Sequence, residues 1–247
     1  MDLRALVFDF DGTIAETERF GHRVAYNEAF EELGLHERWD EDTYGALLSV
    51  AGGRERLEAF FERARPFLDR TARAALARRV HEVKRRRFDA IGPGLALRPG
   101  VERLALAARG AGLRVAIATT AAHEGVEALL RGHPALASAI EAIAAGDDVP
   151  RKKPAPDVYE LVLRQLGVAP GEALALEDST IGLQAARAAG MRVLVSPSGY
   201  TAAENFTGAS AVLSDLGEPD HPCTTLTGPP PPAGFADIPY CRTLVEA

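Results

Sequence analysis

Five short apolar runs frame this chain: LRALVF (3–8), LRVAIAT (113–119), AIEAIAA (139–145), ALALE (173–177) and RVLV (192–195). Each is of strand length, and helix-like segments separate them. Strands this apolar are buried on both faces, so the alternation specifies an α/β fold with a parallel sheet covered by helices. Right-handed crossovers place every strand's carboxyl end on one edge, which is where open α/β sheets bind ligands.

The spacing predicts a helix after Pro99 with the proline in its first turn, and helices from about His123, over 156–166 closed by Gly167, and over 179–189 closed by Gly190. From Glu16 to about Arg87 the chain reads as almost pure helix. Its apolar stripes are Val24, Phe30 and Leu33, then Leu57, Phe60, Phe61 and Ala64. Gly92-Pro93-Gly94 breaks that pattern. Eight of the sixteen prolines lie from Pro197 onward, which predicts a surface wrap of loop and polyproline with some strand at Ala211–Leu213.

Composition matters here for what it excludes. The net charge of −7 gives no general basic footprint for nucleic acid. No apolar run approaches the roughly 20 residues of a membrane-spanning helix. The first apolar run is short and lacks a cleavage-site pattern, so a cytoplasmic location is expected. Two cysteines make no disulfide framework, and His221, Cys223 and Cys241 fit no zinc spacing.

The strand ends carry the chemistry. They are Asp9-Phe10-Asp11-Gly12-Thr13, Thr119-Thr120, Asp147-Asp148 leading to Arg151-Lys152-Lys153-Pro154, and Glu177-Asp178-Ser179. Singly, each reads as a turn or a helix cap. Jointly they gather carboxylates that raise one another's pKa unless a cation lies between them. All-oxygen donors favour a hard ion such as Mg²⁺. A metal with a nearby lysine and hydroxyl suits a phosphoryl group. Of two carboxylates two residues apart, one can attack phosphorus while the other handles the leaving group's proton.

The segments DFDGTIAETE (9–18), IATT (117–120), KKPAPDVY (152–159) and LEDST (176–180), in this order, resemble the haloacid dehalogenase superfamily. The helical insert after the first motif resembles the small cap of the β-phosphoglucomutase and phosphoglycolate phosphatase subgroup. GHRVAYNEAF (21–30), AGGRER (51–56), ALRPG (96–100) and SPSGYT (196–201) look most like CbbY-type proteins within it. The resemblance implies a Rossmann-like core of residues 1–15 and 93–247 interrupted by a cap of 16–92. It implies a Mg²⁺-dependent phosphatase for xylulose 1,5-bisphosphate, with a phosphosugar mutase or a phosphoglycolate phosphatase as the alternatives.

On that resemblance Asp9 is the nucleophile and Asp11 the acid and base. Thr119 binds the phosphoryl group, and Lys153, in preference to Lys152, offsets its charge. Mg²⁺ is held by Asp9, the Asp11 carbonyl and Asp178, with Glu177 helping directly or through water. Glu18 and His22 share a helix face and are candidates for the sugar, with Thr120 beside the phosphoryl site. Arg54 and Arg56 follow Gly52-Gly53 and could grip a second phosphate, with Arg56 favoured. Residues 63–87 hold ten Lys and Arg against Asp69 and Glu82, which reads as a solvated face or a field attracting an anionic substrate. The expected partner is a small sugar phosphate and the expected state a monomer.

Overall fold

Strand β1 (Ala5–Phe8) lies inside the sheet, with β2 (Arg114–Ala118) on one side and β4 (Ala173–Glu177) on the other. With β3 (Ala142–Ala144), β5 (Arg192–Val195), β6 (Ala211–Leu213) and β7 (Thr225–Thr227), the order is β3-β2-β1-β4-β5-β6-β7. All pairings are parallel except β6 with β7. The computed structural model describes residues 2–50 and 52–246; Ala51, which opens the AGGRER segment, lies outside the described residues.

Alternation along the strands divides the core in two. Leu6, Phe8, Val115, Ile117, Leu174 and Leu176 face one side, against α5 (Val101–Gly110) and α6 (His123–Gly132). The smaller Ala5, Val7, Ala116, Ala118, Ala173 and Ala175 face the other, against α8 (Asp157–Leu166) and α9 (Thr180–Ala188). Phe8 lies opposite both Ile117 and Leu176. The next residue on each strand therefore brings Asp9, Ala118 and Glu177 level at one edge.

The insert between β1 and β2 differs from the expected near-continuous helix. A π-helical turn (Thr17–His22) leads into α1 (Arg23–Glu32), followed by α2 (Glu41–Leu47), α3 (Gly53–Ala64) and α4 (Arg70–Ile91). Asp40 and Asp69 cap α2 and α4 by accepting from the Thr43 and Ala72 N–H groups. The buried stripe of α1 is Ala25, Tyr26, Ala29 and Phe30, so Val24 turns partly outward, and Ala64 of α3 is exposed. Aromatic packing sets that rotation: Tyr26, Phe30, Trp39, Tyr44 and Phe61 form a third hydrophobic cluster of their own.

Two other expectations need correction. Helix α5 starts after Gly100 (φ +81°), so Pro99 precedes the helix rather than sitting in its first turn. The segment after Pro197 is not only loop. Besides the expected β6 it contains β7 and α10 (Ile238–Glu246), whose Tyr240, Cys241, Leu244 and Val245 are buried. Arg103 fixes that stretch by donating to the carbonyls of Leu216, Gly217 and Ala236 while pairing with Glu218. Helix α7 (Pro134–Ala139) was also unforeseen. Among the described residues no helix is long and apolar enough to cross a membrane.

Candidate active site

Asp9 follows the last residue of β1 and is almost fully buried. Lys153 donates from Nζ to Asp9 Oδ1 at 2.6 Å, to Glu177 Oε1 at 2.6 Å and to the Ala118 carbonyl at 2.9 Å. One buried ammonium thus ties together the ends of β1, β2 and β4. Burial and the neighbouring Glu177 push the Asp9 carboxyl up to about 7, against the pull of Lys153. Asp178 is raised well above the ordinary carboxylate range by burial, then by Asp9 and Glu177. Burial alone would lower Lys153, but Asp9 and Glu177 outweigh it and raise the ammonium instead.

Asp9, Glu177 and Asp178 each place a carboxylate oxygen within 4.8 Å of the others. Three carboxylates face a single lysine, an excess that the raised Asp9 and Asp178 carboxyls relieve by holding protons and that a bound cation would neutralise instead. The donors are all hard oxygens and are desolvated, which fits a divalent cation. The backbone is shaped around them. A Cβ at Gly12, where φ is +85°, would fall 2.2 Å from Asp178 Oδ2, and one at Gly182 would fall 1.9 Å from Glu177 Oε2. Thr201 donates to Asp178 Oδ2 at 3.2 Å.

Asp11 points the other way, toward the insert. Its Oδ1 accepts from the Thr17 hydroxyl at 2.5 Å and contacts His22 Nε2 at 3.2 Å. Burial works to raise its pKa, but His22 and Thr17 prevail and hold the carboxyl below its usual range. His22 is fixed by stacking on Phe88, with ring centroids 4.1 Å apart. Asp11, Glu18 and His22 form a second close cluster. Thr119 is buried at the end of β2, its hydroxyl accepting from the Ala121 N–H at 3.0 Å, and Thr120 is half-buried beside it.

The two arginines after the glycine pair separate. Arg56 is buried and donates to the Tyr44 hydroxyl and the Leu47 carbonyl, both at 3.1 Å. Arg54 is about half exposed and pairs with Glu55 and Glu58. It does not join the other candidates. Half of the basic run is paired: Arg65, Arg73, Arg85, Arg86 and Arg87 each meet a glutamate.

Four further residues belong to the site and were not picked out from sequence. Tyr159 donates to Glu177 Oε1 at 2.5 Å and accepts from Lys153 at 3.2 Å. Its place in KKPAPDVY was the available signal. Tyr44 donates to Glu18 while receiving Arg56. Lys84 turns inward over the rings of Tyr26 and Phe88, and burial pushes it down to about 8. Amid the arginine run nothing in sequence distinguishes it. Arg98 donates to the carbonyls of Gly12, Ser196, Pro197 and Ser214 and so braces the loops behind Asp178.

A family model described as haloacid dehalogenase-like hydrolase matches residues 3–190. The chain belongs to this family. The hydrolase is 46% identical over 227 residues to protein CbbY of Cereibacter sphaeroides, covering 87% of this chain and 94% of that protein. It is 32% identical to the phosphorylated carbohydrates phosphatase of Thermotoga maritima, over 76% of this chain and 82% of that one. The crystal structure of a mutant CbbY from Rhodobacter sphaeroides in complex with xylulose-(1,5)bisphosphate superposes with a TM-score of 0.74 at 45% identity. That match covers 86% of this chain and 94% of the other. The enzyme class of this hydrolase is that of a phosphatase.

Proposed function

We propose that this hydrolase is a Mg²⁺-dependent phosphatase for a sugar bisphosphate, with xylulose 1,5-bisphosphate as its substrate. The observation that carries the reading is the pairing at the end of β1: Asp9 against Lys153 and the acidic cluster, Asp11 turned toward the insert. The CbbY complex with xylulose-(1,5)bisphosphate supports the substrate. The proposed division makes 1–15 and 93–247 the catalytic core and 16–92 a cap.

In the first step an Asp9 oxygen bonds to phosphorus as the bond from phosphorus to the sugar oxygen breaks. The departing oxygen takes its proton through Asp11, whose Oδ1 is occupied by Thr17 and His22 and whose Oδ2 is left for the substrate. Because the resting carboxyl is held below its usual range, that proton reaches it from solvent once substrate is bound. In the second step water attacks phosphorus, Asp11 takes its proton, and Asp9 is released with orthophosphate. Lys153 and Thr119 hold the phosphoryl group, with Thr120 at its mouth. Asp9, Asp178, Glu177 and the Asp11 carbonyl would hold Mg²⁺, which supplies charge neutralisation of the phosphoryl oxygens when bound. Glu18 and His22 would read the sugar, while Arg56 and Lys84 would hold its distal phosphate.

The test is orthophosphate release over a panel of sugar mono- and bisphosphates and phosphoglycolate, with Asp9→Asn as control. Preferred release from xylulose 1,5-bisphosphate supports the reading. Interconversion of glucose phosphates without release, or a preference for phosphoglycolate, overturns it.

A further inference from the structure

The segment 196–201 joins two regions that are otherwise far apart in sequence. Thr201 contacts Asp178, and Ser198 binds Thr201 through both its N–H (2.8 Å) and its hydroxyl (2.9 Å). The residue before Thr201, Tyr200, leaves the core and packs on the aromatic cluster of the insert. Every other member and neighbour of that cluster lies within residues 26–83, so Tyr200 is the one contribution from the sheet domain among the described residues.

The insert is shaped to receive it. Gly45 sits inside helix α2, a position where glycine weakens a helix by roughly 1 kcal/mol relative to alanine. Its φ is ordinary, so backbone conformation does not require it. A Cβ there would fall 3.1 Å from both Cδ1 and Cε1 of Tyr200, so the missing side chain is the seat for the ring. The neighbouring residue is Tyr44, with its ring centroid 6.0 Å from that of Tyr200. Tyr44 in turn holds Glu18 and Arg56. Gly199 completes the junction by donating to both oxygens of Glu16, the first residue of the insert, at 3.3 and 3.2 Å.

We propose that Tyr200 is a positioning residue that seats the cap: its ring, in the Gly45 notch and against Tyr44, holds the Glu18–Tyr44–Arg56 array in register with Asp9 and Asp11. The ring does this work, because the hydroxyl is buried without a hydrogen-bond partner. The inference rests on the reading of residues 16–92 as a substrate-reading cap, and it goes beyond that reading by naming the contact that sets the cap's register.

The test compares wild type, Tyr200→Ala, Tyr200→Phe and Gly45→Val on two substrates: a sugar bisphosphate, and p-nitrophenyl phosphate, which has no distal group for the cap to hold. Tyr200→Ala and Gly45→Val should raise KM for the bisphosphate about tenfold or more. Their turnover of p-nitrophenyl phosphate should stay within about twofold of wild type. Tyr200→Phe should behave as wild type. Equal losses on both substrates would assign Tyr200 to the Asp178 loop alone and overturn the proposal, as would an unchanged bisphosphate KM in Tyr200→Ala.

If wild type releases phosphate from p-nitrophenyl phosphate but from no sugar bisphosphate, the substrate reading fails. Hydrogen exchange over α2 (Glu41–Leu47), whose Gly45 seats the ring, then decides this inference separately. Faster exchange there in Tyr200→Ala, restored in Tyr200→Phe, upholds the seat, and identical exchange in all variants removes it.

Discussion

Tyr159→Phe deletes one oxygen from the most tightly tied part of the site and leaves the ring's packing intact. The lost hydroxyl donates to Glu177 Oε1 at 2.5 Å and accepts from Lys153 at 3.2 Å, and Glu177 is fully buried. A hydrogen bond to a charged group contributes about 1.5–3 kcal/mol. The lower half of that range applies, because Lys153 still donates to Glu177 at 2.6 Å. At roughly 2–4 °C per kcal/mol for a chain of this size, Tm should fall by about 3–9 °C. The larger effect should be on metal affinity. Groups that orient a metal-binding side chain typically contribute about 10–100-fold. The assay is phosphate release against Mg²⁺ concentration, with a thermal melt of the same preparation. A half-saturating Mg²⁺ concentration within twofold of wild type would refute the argument that Tyr159 orients Glu177 for the ion.

The remaining predictions concern the cap and the ion. Arg56→Lys should raise KM for the bisphosphate about tenfold or more, because a fork that donates to Tyr44 and Leu47 is lost, whereas Arg54→Ala should change it less than about twofold. Equal effects would show that both arginines touch substrate. Burial pushes Lys84 down to about 8, so its charge is present below that pH and lost above it. KM should therefore rise severalfold between about pH 7 and pH 9 in wild type and stay flat in Lys84→Arg, whose charge persists. A rise of the same size in both would remove Lys84 from anion binding. Chelation should abolish phosphate release and added Mg²⁺ restore it; full activity in excess chelator would contradict the carboxylate cluster's assignment.

The core and its edge were legible because strand burial and strand ends leave local marks. Leu6 and Phe8 alternate with Ala5 and Val7, and polar residues close the β1, β2 and β4 runs at one edge of the sheet. Asp9, Asp11, Glu177 and Asp178 sit where the β1 and β4 runs stop, and Lys153 lies in the loop between β3 and α8. The insert was less legible because its geometry is set by contacts between helices. Which face of α1 turns inward depends on Trp39 and Tyr44, and Lys84 is one basic residue among ten until α4 packs. Prolines hid α10, although Tyr240, Cys241, Leu244 and Val245 have helical spacing. The resemblance favours Arg56 over Arg54, and burial and pairing separate the two in the same sense.

The central claim is that phosphate passes through Asp9. Rapid acid quench of wild-type enzyme during turnover of xylulose 1,5-bisphosphate, followed by peptide mass analysis, tests it most directly. The account predicts one phosphoryl group on the peptide that contains Asp9, none in Asp9→Asn, and accumulation of the adduct when Asp11→Asn slows its hydrolysis. Phosphate release in Asp9→Asn at the wild-type rate, or turnover with no acyl phosphate at any quench time, would contradict it.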